Sequence, residues 1–84
     1  MGADRVERMT DLVDQIETAL QSAIELAVGY ESLVPGEEGD TMAPGFRQVA
    51  GALTKALCHL EGEDEVGELV TFLERRAVRR FGES

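Results

Sequence analysis

The longest periodic feature of the chain is an apolar row: Val6, Met9, Val13, Ile16, Leu20, Ala23, Ala27, Tyr30 and Val34 follow one another at spacings of three and four. A helix turns once every ~3.6 residues, so it gathers such a row on one face, whereas a strand would throw its members to both sides. Leu12, Ala19, Leu26 and Leu33 form a second row that repeats every seven residues beside the first. Together they make a stripe roughly 120° wide, the width of a helix that faces a bundle core. Asp4 followed by Glu7 has the form of a capping box, and a first helix is expected over about residues 4–33.

The row breaks at Val34-Pro35-Gly36-Glu37-Glu38-Gly39-Asp40. Proline, two glycines and three acids predict a solvated loop over about residues 34–43. Pro44 is tolerated in a first turn, so the second helix is expected over about residues 44–61. Its apolar row is Phe46, Val49, Ala50, Leu53, Ala56, Leu57 and Leu60, and Gly62 is its natural stop. The third helix is expected over about residues 64–81, with Val66, Leu69, Val70, Leu73, Ala77 and Phe81 on its apolar face. Acids open this segment and arginines close it, which suits the helix dipole at both ends. The fold class is therefore all-α, a three-helix bundle of one long and two shorter helices.

Eighty-four residues suffice for one domain with a marginal core. Cys58 is the sole cysteine and His59 the sole histidine, which leaves no internal disulfide and no zinc set to reinforce it. The first helix, ~45 Å long, also outruns two partners of ~26 Å each. Both points predict completion by homodimerisation through helix 1. Val13, Ile16, Ala19, Leu20, Ala23 and Ala27 are the expected packing residues, the alanines admitting a close helix either from the same chain or from a second copy.

Net charge is −9, from 17 acids and 8 bases. It divides unevenly: residues 1–74 hold 16 acids and 4 bases, a balance of −12, and residues 75–84 hold one acid and 4 arginines, a balance of +3. General acidity opposes nucleic-acid binding, so nucleic acid is not the expected partner. No apolar run exceeds three residues, and no charged-then-apolar leader opens the chain. A membrane is not expected either; the expected setting is a bacterial cytoplasm, with a bacterial or phage gene as the source.

Two charged clusters are candidate binding sites. Asp11, Asp14, Glu17, Glu25 and Glu31 lie in a stretch without Lys or Arg, and Arg75, Arg76, Arg79 and Arg80 close the chain. On a helix the arginines split into two i,i+4 pairs. Arg76 and Arg80 fall toward the core side, where they are expected to meet Glu31, Glu37, Glu38 and Asp40, and Arg75 and Arg79 face solvent.

Chemistry is less visible. His59-Leu60-Glu61-Gly62 superficially resembles the histidine turn of phosphotransfer domains, but the lysine and glycine that family carries at a longer spacing are missing. Cys58 reads as a packed, inert thiol. No nucleophile–base pair, phosphate loop or EF-hand spacing occurs, so neither an enzyme nor a cofactor nor a metal is expected. The expected function is that of a protein-interaction module, a regulator or adaptor that binds a partner protein. In size and charge the chain also resembles small phage inhibitors that mimic nucleic acid and occlude restriction or CRISPR enzymes, which gives the acidic stretch an alternative role. A second alternative is nucleic-acid binding through the terminal arginines.

Overall fold

Gly36 and Gly62 divide the chain. Both have positive φ, 100° and 99°, a conformation open to glycine because a Cβ would clash with the backbone there. The computed structural model describes residues 2–34 and 36–82. Helix α1 spans Gly2–Leu33, α2 spans Glu37–Glu61, and α3 spans Glu63–Ala77 before a wider π turn over Val78–Gly82. The described residues contain no strand.

The second helix begins seven residues before its expected start, and most of the expected 34–43 loop is helical. Pro35 lies outside the described residues. Three local causes favour the early start. Glu37, Glu38 and Asp40 occupy the first turn, where the helix dipole favours negative charge. The Thr41 hydroxyl donates to the Glu37 carbonyl at 2.8 Å. Gly39 is buried against α1, so close to the Val34 and Tyr30 carbonyl oxygens that no side chain would fit. Pro44 thus sits inside the helix, and the Asp40 carbonyl that its missing N–H would have served belongs to an exposed residue open to water. At the other end, Gly62 donates its N–H to the Cys58 carbonyl at 3.1 Å and accepts from Val66 at 3.2 Å, ending α2 and starting α3.

The helices run up, down and up. Tyr30 stacks on Phe46 with ring centroids 5.6 Å apart, and Leu60 and Glu61 lie beside the first turns of α1, so α2 is antiparallel to α1. The chain then climbs again until Phe81 lines a cleft with Leu26, Tyr30 and Val34. At 25 residues α2 is ~37 Å long and covers more of α1 than expected, yet α1 is longer still at ~48 Å. The molecule measures 52 × 20 × 18 Å, and its long dimension is essentially that of α1.

Leu20, Leu57 and Val66, one from each helix, are the largest fully buried side chains. Ile24, Val28, Leu73 and Ala77 complete the cluster around them. Four of the ten buried apolar residues are alanines, so the helices pack closely but each contact removes little apolar surface from water. At about 1.5–3 kcal/mol for a large aliphatic side chain, such a core leaves a small margin over chain entropy. Ala23 and Ala27 are among those four, only 4% and 1% exposed. The chain's own helices use them, and they are closed to a second copy. Ala19, by contrast, is exposed.

Candidate interaction surfaces

The core row of α1 continues past the ends of its partners. Val6 and Met9 are 65% and 57% exposed, although they share the face that is buried from Leu20 to Ala27. Val13 and Ile16 mark the transition, half-buried against the core cluster. Val6, Met9, Val13 and Leu60 line a shallow apolar groove where α2 stops, and Leu12 adds a further exposed apolar side chain nearby. An interior-type row left open to water marks an interaction site more often than scattered surface leucines do.

Acids flank this groove. The Glu17 carboxyl is half-buried beside Glu61 at the α1–α2 seam; burial first, then the closeness and charge of Glu61 and the charge of Asp14, push it above the usual carboxylate range. A cation brought to this corner would relieve the repulsion. Asp11 and Asp14 are exposed.

The other two acids of the expected binding face are already engaged. Glu25 is half-buried, with Arg76 Nη2 at 3.8 Å and Arg80 Nη1 at 3.6 Å from its Oε1. Arg76 is half-buried and Arg80, though exposed, reaches the same carboxylate, while Arg75 and Arg79 are exposed and outside these ion pairs; Arg76 and Arg80 meet Glu25 rather than Glu31, Glu37, Glu38 or Asp40. Arg76 and Arg80 come level with Glu25, and the turn after α3 carries Phe81 on to the cleft with Leu26, Tyr30 and Val34. Glu31 is held by Arg47, whose Nε donates to Oε1 at 2.6 Å and whose Nη2 donates to Oε2 at 2.9 Å. These charge-assisted bonds draw Glu31 below the usual carboxylate range and raise Arg47.

Sequence reasoning passed over Arg47, although it is the one basic residue between Met9 and Thr54. A lone cation inside an acidic stretch is a signal that could have found it. Phe72 was also missed. It is 57% exposed on the outer side of α3, and the Arg76 guanidinium lies over its ring at 5.5 Å. No spacing rule marks Phe72, because it stands off the apolar row.

Cys58 is half-buried at the edge of the core and His59 is exposed. Among the described residues, no three His, Cys, Asp or Glu side chains are placed to hold a metal ion, and no helix is long and apolar enough to cross a membrane. The chain matches no protein-family model, no curated protein and no solved structure.

Proposed function

We propose that the protein is a small helical interaction module, a homodimeric regulator or adaptor that works by binding a partner protein at the free end of α1. The observation that carries this reading is the exposure of Val6 and Met9 in line with the buried core row. The groove they form with Val13 and Leu60 lies where α2 would continue if it were longer. It fits an amphipathic helix that carries on the bundle packing, with a basic residue of that helix set against Glu17 and Glu61. Helix-in-groove binding of this kind is driven by apolar burial and tolerates salt.

Nucleic-acid mimicry draws less support. A mimic needs a run of free carboxylates, and here Glu25 and Glu31 are spent on the chain's own arginines. The terminal arginines are likewise divided between internal pairs and an acid-flanked face.

The test is site-specific photocrosslinking in lysate of the native host, with the probe at position 9 or at the exposed Lys55. The expected result is one protein partner captured from position 9, with capture lost on Val6→Asp and persisting at high salt. Equal yields from the two probe positions would sink the proposal, and capture of nucleic-acid enzymes that salt abolishes would favour mimicry.

A further inference from the structure

The outer face of α3 is charged in opposite senses at its two ends. Glu63, Asp64, Glu65 and Glu68 stand before its midpoint; Arg75 stands after it, and Arg79 in the π turn that continues it. The first-turn acids and last-turn arginines suit the helix dipole. The dipole does not account for Phe72, which is exposed between the two groups. Nor does it account for the neighbours on this face. Asp64 and Glu68 are an i,i+4 pair, as are Arg75 and Arg79, so each charge has a like charge beside it on its own helix. Among the described residues, none of these four takes part in an ion pair.

We infer that α3 is a self-association surface, on which a second copy of this chain docks antiparallel about a two-fold axis between Thr71 and Phe72. This deepens the homodimeric part of the function proposed above and moves the dimer contact off α1, whose Ala23 and Ala27 are enclosed. Positions equidistant from the axis meet in such an arrangement, each contact occurring twice. Glu68 then faces Arg75 of the second copy, and Asp64 faces Arg79 of the second copy. Every like-charge neighbour within a chain gains an opposite charge between chains. In a parallel pair, acids would meet acids and arginines would meet arginines, so the charge pattern selects the antiparallel form. The centre is suited to close approach. Gly67 has nothing within 4 Å of where its Cβ would stand, which leaves a notch one turn from Phe72. A shallow groove lined by Asp64, Gly67, Glu68, Phe72, Arg75 and Arg79 runs along this face. Arg76 lies over the Phe72 ring, and the side chain is left more than half exposed beside the axis.

Charge reversal tests the geometry directly, with the full chain in sedimentation equilibrium. The wild type is expected to dimerise at tens of micromolar, and more weakly as salt rises. Glu68→Arg alone and Arg75→Glu alone should each raise the dimer dissociation constant by about tenfold or more, since like charges then face each other twice. An equimolar mixture of the two variants should form a heterodimer, because the two basic side chains at positions 68 and 75 of one then meet the two acidic side chains at 75 and 68 of the other. Circular dichroism of each variant checks that the monomer remains folded, and Phe72→Ser provides an independent charge-neutral disruption. A dimer insensitive to both reversals and to Phe72→Ser but broken by Met9→Asp overturns this assignment and places the contact on α1. A wild type that stays monomeric while position 9 still captures a protein overturns the dimer and leaves partner binding standing.

Discussion

The guanidinium of Arg47 forks onto the carboxylate of Glu31 across the α1–α2 interface, at 2.6 and 2.9 Å. Its third nitrogen stands 3.7 Å from Glu74 on α3. One side chain thus touches all three helices at the end of the bundle where the chain enters α2. Both partners are nearly half exposed, 48% and 42%, so water screens the attraction and the geometry contributes more to register than to stability.

Replacing Glu31 by Gln should cost a few tenths to ~1 kcal/mol near neutral pH, a fall in Tm of up to roughly 8 °C. The cost should depend on pH in a defined direction. Because Arg47 depresses the folded-state value of Glu31, the pair's contribution is present above the ordinary carboxylate range and disappears as pH falls through the depressed folded value. Thermal melts of wild type and Glu31→Gln should converge in strong acid. A constant gap across the range would show that the forked bond is not the cause.

Glu17 should behave in the opposite sense. Its folded-state value is raised, so its charge destabilises the fold above that value, and the penalty fades as pH falls below the ordinary carboxylate range. Glu17→Gln is expected to raise Tm near neutral pH by a few degrees, on the order of a few tenths of a kcal/mol, and to do little at about pH 3. Glu61→Gln should act similarly, and the double variant should gain less than the sum because the two share one repulsion. Chemical denaturation at two pH values separates these outcomes.

Two glycines in helices should respond in opposite ways to alanine. At Gly39 a methyl group would collide with the Val34 carbonyl oxygen and lie 2.8 Å from that of Tyr30, so α2 must shift; a loss of ~2 kcal/mol or more is expected. At Gly29 nothing stands within 4 Å, and Gly29→Ala should stabilise α1 by up to ~1 kcal/mol through helix propensity. Urea midpoints moving the same way for both variants would refute the packing assigned to Gly39.

The arginines offer a paired comparison. Arg76→Ala with Arg80→Ala strips Glu25 of both cations and removes the guanidinium from Phe72, so Tm should fall by several degrees, reflecting about 1 kcal/mol. Arg75→Ala with Arg79→Ala should leave monomer stability near that of the wild type, measured in dilute solution to keep self-association out of the comparison. Matching losses in the two double variants would contradict the division of the cluster into an inward and an outward pair.

Periodicity alone determined the helical class, the long α1, the face of α3 and part of that of α2, where Val49, Ala56 and Leu60 of the expected row are exposed. Apolar residues three and four apart have no other common surface, and Gly62 had one economical role, as the stop between two such rows. The charge layout was legible to the same depth: helix geometry separates Arg76 and Arg80 from Arg75 and Arg79 before any neighbour is known. What the sequence left open was settled by contacts between segments distant along the chain. Residues 37–43 look like a loop in isolation, with three acids, a glycine and a nearby proline, but they become helical because Gly39 and Ala43 are buried in the folded chain. Tertiary packing also decided that Glu25 rather than Glu31 receives Arg76 and Arg80, since the height at which α3 starts beside α1 fixes which carboxylate the arginines can reach. It decided the fate of the alanine row as well. Ala23 and Ala27 went to the core and Ala19 to solvent, because α2 and α3 cover one arc of α1 and Ala19 lies outside it. The same limited cover leaves Val6 and Met9 bare. A row continuous in sequence is closed at one end and open at the other because its neighbours are shorter than it is.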